Sequence, residues 1–431
     1  PFYTKKNLNK KQQKLGVMKN LIGIFLCGII LLFGPGCEKK NDGDGNFRMK
    51  EIALTPVQKN LVQAGNNFAL NLFGVTCREE ENKPRVFISP YSISEALTMT
   101  YNGAAKATAD SMAKVLGYEG MKTEEINAYC KTLRTTLLSL DPKVQLSIAN
   151  SIWYRLGFEV QPSFIDVNKT WFDAAVQGLD FTSPKAPETI NKWIADKTRN
   201  RITNVIQEID PATVMFLVNA IWFKGMWTNR FDTKNTVEKD FYCPGGKTVK
   251  ASFMQQENSF RYYSNSVFAM AEMPYGQGNY AMLVLLPNEG KTTDDVLDIL
   301  DSDNWTEWKT GLQEKKLRVE FPRIKFNYNI ELNKVLSKMG MQIAFSDDAD
   351  FSGINPNENL LISKVLHHSF LEINEEGTEA AAVTVVDVGV TAVPVEPEII
   401  PFVVNKPFLF AIHERSTGAI LFMGLIKEPN Y

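Results

Sequence analysis

Histidine is almost missing: His367, His368 and His413 are the only three in 431 residues. None belongs to an HExxH pair, which argues against a metalloprotease. No GxSxG elbow offers a serine nucleophile. Cysteine is sparse as well. Cys27, Cys37, Cys77, Cys130 and Cys243 lie far apart without CxxC or metal-type spacing, so no zinc site, disulfide framework or cofactor is expected. No apolar run reaches the roughly 20 residues of a membrane-spanning helix. No repeat or low-complexity block is present, and 44% hydrophobic with 22% charged residues excludes a disordered or fibrous chain. Neither sign of charge dominates, at 47 basic and 49 acidic residues. Residues 1–36 hold six lysines and no acid, so the remainder carries 41 basic and 49 acidic residues, a net charge of −8. An acidic body argues against nucleic acid as partner.

Two glycine motifs fail on inspection. Gly246-Lys247-Thr248 ends like a phosphate loop, but Phe241 stands where the first glycine belongs. Gly276-Gln277-Gly278 leads into the strand-like AMLVLLP instead of a helix, so it has no helix N-terminus for a pyrophosphate and reads as a hairpin turn. The acid pairs Asp347-Asp348 and Glu375-Glu376 read as solvated surface. Nothing resembles an active site, and an enzyme is not expected.

The front end reads as an address. Residues 21–33, LIGIFLCGIILLF, suit the apolar core of a secretory signal, with Met18 as start and Lys19 as its charged leader. Residues 1–17 are then an upstream extension or a misplaced start, and 18–36 the signal peptide. Gly34-Pro35-Gly36 before Cys37 resembles a bacterial lipoprotein cleavage site, which would make Cys37 the lipidated N-terminus of a polar linker over 37–50. An ordinary signal peptide with a cysteine near its cut is the alternative. The expectation is export, to the outer membrane or cell surface as a lipoprotein or else into the extracellular space. Membrane contact would then come only through the anchor.

From residue 51 to 431 a single α+β domain is expected. Apolar spacing predicts a helix over 52–74, and the segment after Ser89-Pro90 looks like another helix start. Residues 145–153, 214–223 and 282–286 read as strands; 188–205 and 330–339 read as helices.

One segment stands apart. Residues 375–400, EEGTEAAAVTVVDVGVTAVPVEPEII, contain no large anchor before Ile399 and should form an exposed, mobile loop. A loop this long calls for a functional reason. At a strand period of two, however, Thr378, Ala380, Ala382, Thr384, Val386 and Val388 share one small or apolar face, while Glu379 and Asp387 lie on the other. The segment suits two states, an exposed loop and an inserted strand.

Glu375-Glu376-Gly377-Thr378-Glu379-Ala380-Ala381-Ala382 resembles the hinge of an inhibitory serpin, a metastable serine protease inhibitor. FISPYSI at 87–93, FLVNAIWFKGMW at 216–227, DFSGI at 350–354, NKPF at 405–408 and FMG at 422–424 resemble further family motifs in the same order. The resemblance implies three β-sheets, eight or nine helices and an exposed reactive-centre loop, in a monomer. It also implies suicide-substrate inhibition of a serine or cysteine protease. The loop is cut, the protease is held as an acyl-enzyme, and the loop inserts into the central sheet. The alternative is a non-inhibitory serpin acting as a binding or chaperone-like protein, against which stands the absence of proline in the hinge before Pro394.

The same resemblance assigns residues. Ser89, Ser92, Asn219 and His367 fall on the shutter, a polar cluster under the strands that part; a surface position for His367 is the alternative. Trp227, Arg323 and Glu375 fall on the breach, where the loop enters; an ordinary exposed ion pair is the alternative there. Counting from the hinge puts the scissile bond between Thr391 and Ala392, with Val390 and Ala392 also open as cleavage residues. All are small, which favours elastase-like targets and also subtilisin-like ones.

Overall fold

The computed structural model describes residues 49–210, 213–378 and 398–431. Cys37, the signal segment, Ala380, Ala381, Ala382, Thr391 and Ala392 lie outside them. The fold begins at a capping box. The Thr55 side chain accepts from the Gln58 N–H, the Gln58 side chain accepts from the Thr55 N–H, and Pro56 presets the first turn. Helix α1 (Pro56–Glu79) is followed by β1 (Arg85–Ile88), then by α2 (Pro90–Tyr101), α3 (Lys106–Leu116) and α4 (Thr123–Ser139). Ser89 caps α2 through the Ser92 N–H. Next come β2 (Val144–Arg155), α5 (Pro162–Phe172), β3 (Ala175–Leu179), α6 (Ala186–Lys197) and β4 (Met215–Met226). A run of strands follows, β5 (Val237–Tyr242), β6 (Thr248–Ser264), β7 (Phe268–Tyr275) and β8 (Tyr280–Pro287). Helices α7 (Thr293–Asp298) and α8 (Ser302–Thr310) lead to β9 (Gln313–Pro322), β10 (Ile324–Glu331) and the single turn α9 (Asn333–Leu336). Strands β11 (Leu366–Ile373), β12 (Gly377–Thr378), β13 (Ile400–Val403), β14 (Phe408–Glu414) and β15 (Ile420–Ile426) complete the chain.

Among the described residues the strands form three sheets. The largest runs β1-β15-β14-β8-β7-β6-β9-β13, with β5 on β6. Its strands β8, β14 and β15 are buried along their whole length, and that is why β8 and β15 read as continuous apolar runs. Gly276 and Gly278, both at positive φ, make the β7–β8 hairpin. The second sheet is β12-β4-β2-β3 and the third β10-β11. Strand β12 is antiparallel to β4 and bridges in the same sense to the end of β11, so β4 and β11 run the same way. Among the described residues no ladder joins β4 to β11. Among the described residues, the two small sheets meet across a seam that only β12 closes, at one end.

Two expected helices differ. The helix over 188–205 ends at Lys197, because Arg199, Asn200 and Asn204 take positive φ and cannot continue it. The helix over 330–339 begins as strand β10, where Ile324, Phe326 and Tyr328 are buried and alternate with exposed polar residues.

Candidate functional site

The chain turns sharply between β11 and β12, and there the loop begins. Gly377 has φ +140°, and a Cβ on it would stand 2.0 Å from the Gly225 carbonyl oxygen, so only glycine fits. Gly377 and Thr378 pair with Met226 and Gly225. The hinge that the sequence assigns to an exposed loop is thus partly seated in the sheet.

Glu375 is 4% exposed, which corrects its reading as solvated surface. Arg323 Nε lies 2.9 and 3.0 Å from its two oxygens, and the Thr236 hydroxyl also donates to it. Burial would raise this carboxyl, but hydrogen bonds from Arg323 and Thr236 outweigh it and hold it below the ordinary range. Trp227 donates Nε1–H to the Asn374 carbonyl at 2.9 Å and stacks on Tyr275 at 4.3 Å. Its own N–H donates to the Glu376 carbonyl at 2.8 Å. Trp227, Arg323 and Glu375 therefore meet around the start of β12.

Further along the seam the assigned polar cluster is divided. Ser89, Ser92 and His367 are buried together. The Ser89 N–H donates to His367 Nε2 at 3.1 Å, and its hydroxyl donates to the Leu421 carbonyl at 2.7 Å. Asn219 stands across the seam and donates to Asn150 Oδ1 at 2.6 Å instead of meeting His367. Two buried oxygens lack partners here, Ser92 Oγ and Asn219 Oδ1. Cavities of about 20 and 30 Å³ flank Asn219 and Leu366 on the two sides of the seam. The seam is narrow and incompletely satisfied.

His367 is 3% exposed, not a surface residue, and burial pushes its pKa down to about 3. The unfolded imidazole titrates near 6.5. Below that pH the unfolded chain takes up a proton that the native ring refuses, so stability should fall on acidification between about 6.5 and 3. His367 alone should contribute about 1.4 kcal/mol per pH unit. Burial pushes His368 to about 4, which adds in the same direction. Denaturant melts of wild type and His367→Gln across this range should show the variant with the shallower slope; equal slopes would contradict a neutral buried ring.

Sequence reasoning missed Asn150, Thr236 and the buried pair Glu95–Arg134. Asn150 had a signal, a lone amide inside the apolar strand LSIANSIWY. Glu95 had a weaker one, a single acid on the apolar helix face SISEALTM. Among the described residues no cluster of His, Cys, Asp and Glu could hold a metal, and Cys77, Cys130 and Cys243 are free and buried.

Comparison with known proteins agrees with this geometry. Residues 63–429 match the family model described as serpin (serine protease inhibitor). An uncharacterized serpin-like protein of Thermococcus kodakarensis is 34% identical, with 86% of each chain covered. The leukocyte elastase inhibitor of Bos taurus is 32% identical, over 86% of this chain and 99% of that protein. The native-state structure of the thermophilic serpin Tengpin superposes with a TM-score of 0.79 at 30% identity, over 88% of this chain and 96% of its own. A structure of human thyroxine-binding globulin has the same TM-score at 29% identity, over 87% of this chain and 100% of its own. A family model spanning most of the chain, relatives above 30% identity and the shared fold lead to one conclusion: the chain belongs to the serpin family.

Proposed function

We propose that the chain inhibits serine proteases, and cysteine proteases of similar specificity, as a suicide substrate and not as a catalyst. The observation that carries this is the partly seated hinge at the end of an open seam. Carrying the β12 register onward would set Ala380 opposite Phe223, Ala382 opposite Ile221 and Thr384 opposite Asn219. Counted from the Asn374–Gly377 bridge, Thr384 would also fall opposite His367. Phe223 and Ile221 belong to the main core, so the even-numbered small face of the loop would meet it. Glu379 would fall opposite Lys224, a favourable cross-strand pair. A dozen or so new ladder hydrogen bonds at about 1 kcal/mol each, with the side chains they bury, come to about 10 kcal/mol or more. That equals the whole stability of a typical domain and suffices to distort a protease held as its acyl-enzyme.

Small side chains around Thr391 and Ala392 favour elastase-like targets, and subtilisin-like ones after them; a relative named leukocyte elastase inhibitor supports this choice. Residues 18–36 would direct export, and Cys37 would carry the lipid that tethers a monomer to the outer membrane or cell surface. The rival reading is a non-inhibitory binding or chaperone-like serpin, favoured by the likeness to thyroxine-binding globulin. Incubation with elastase should give a complex that survives denaturation; cleavage without such a complex would favour the rival.

Specificity has its own check. Trypsin needs a cation to meet its buried carboxylate, and a pocket mismatch of a few methylenes costs about 1–3 kcal/mol in transition-state binding. Thr391→Arg should therefore redirect inhibition to trypsin with at least a tenfold change in preference. Mass spectrometry of the released C-terminal peptide should give a fragment beginning at Ala392. One beginning beyond Pro394 would overturn the assignment.

A further inference from the structure

Beyond β15 the chain crosses from one sheet to another. The N–H groups of Lys427 and Glu428 both donate to the Pro84 carbonyl, at 2.9 and 3.2 Å, just ahead of β1. Arg85 Nη1 donates to the Glu428 carbonyl at 2.9 Å, and Lys247 Nζ lies 2.7 Å from the Glu428 carboxylate. Two residues later the Asn430 carbonyl accepts the N–H of Lys325 on β10. The tail is thus tied to the largest sheet first and to the third sheet next, although among the described residues no strand ladder includes it.

What the tail brings to β10 is a ring. The Arg323 guanidinium carbon lies 5.4 Å from the centroid of Tyr431, within reach of a cation–π contact. Arg323 occupies the corner between β9 and β10, where its own N–H donates to the Ser252 carbonyl at 2.8 Å. Glu375 takes the Nε and Nη2 edge of its guanidinium. The Glu375 side chain is 5% exposed and that of Arg323 28%, so the guanidinium is the part of the pair that water reaches. A planar cation bound along its edge leaves its faces free to stack. A ring on one face attracts the cation and keeps water from the pair, which strengthens it. We infer that Tyr431 is a positioning residue for the Arg323–Glu375 pair. It holds the guanidinium square to the carboxylate, so the tail beyond β15 sets how firmly residues 375–378 are seated against β4. The inference concerns the intact chain and stands whether or not that chain traps proteases.

Two backbone bonds report on that seat in the full chain. The Phe231 N–H donates to the Glu375 carbonyl at 3.0 Å, and the Trp227 N–H to the Glu376 carbonyl at 2.8 Å. Amide hydrogen exchange reads how often each opens. Tyr431→Ala should speed exchange at both about two- to fivefold, the worth of one cation–π contact at a partly exposed site. Tyr431→Phe keeps the ring face and should exchange like wild type. Tyr431→Leu covers the same arginine without a quadrupole and should behave like Tyr431→Ala. In Arg323→Gln the ring has no cation to hold, so adding Tyr431→Ala should change neither amide further. The Lys325 N–H is the control, since it bonds to the tail itself. Faster exchange at Lys325 in Tyr431→Ala, with Phe231 and Trp227 unmoved, would make Tyr431 a tail anchor and overturn the inference. Equal exchange in the leucine and phenylalanine variants would overturn it too. Should Arg323→Gln fail to fold with its buried carboxylate unpaired, the comparison of phenylalanine with leucine still decides, because position 431 is 56% exposed.

Discussion

Ala382→Arg is expected to convert the chain from an inhibitor into a substrate. Gly377 and Thr378 are already paired with β4, so the next core-facing positions to enter are 380 and 382. Position 382 would arrive opposite Ile221, which is 2% exposed in the main core, and Ser369 on β11, which is 2% exposed. A guanidinium there meets no acid in the assigned register. An unpaired charge taken out of water costs several kcal/mol. Each 1.4 kcal/mol on a barrier is about a factor of ten in rate. Insertion therefore slows by roughly a hundredfold or more, while hydrolysis of the acyl-enzyme keeps its own pace. The protease should be released active and the loop cut. Gel analysis of the denaturation-resistant complex, with titration of remaining protease activity, checks this. An unchanged yield of complex would remove loop insertion from the mechanism.

Nicking the loop without trapping a protease should raise the unfolding temperature by roughly 10 °C or more. The intact molecule holds its β4 and β11 edges apart, with partnerless buried oxygens at Asn219 and Ser92. An inserted strand supplies ladder partners to both edges and joins the two small sheets into one. With about 10 kcal/mol gained, and an unfolding entropy of about 2 cal/mol/K per residue over a body of this size, a shift of that order follows. Calorimetry of intact and nicked protein is the measurement. Coincident midpoints would point to a serpin that binds without inserting. The two experiments are independent, since the first reads a rate and the second an equilibrium.

Much of this protein was legible in its sequence, because the signals are local. The apolar spacing of α1, the Ser89-Pro90 helix start, the apolar runs of β4 and β8 and the Gly276–Gly278 turn each depend on neighbours within a few residues. The two-state reading proposed for the segment after Glu375 rests on local pattern as well, since a period of two and the lack of anchors are properties of the chain alone. Where local pattern was ambiguous it misled. The 330–339 stretch is strand up to Glu331 and helical from Asn333 on, so the expected helix starts three residues late, and the tail of α6 is stopped by positive φ that residue type only hints at. Tertiary structure decided what no spacing contains. It buried Glu375 against Arg323 and Thr236, although an acid pair reads as surface. It separated Asn219 from His367 and gave it to Asn150, because the two strands belong to different sheets in this state. The seam itself is an absence of pairing between strands some 150 residues apart in sequence, and only the packed arrangement of helices and sheets around it sets whether such edges meet.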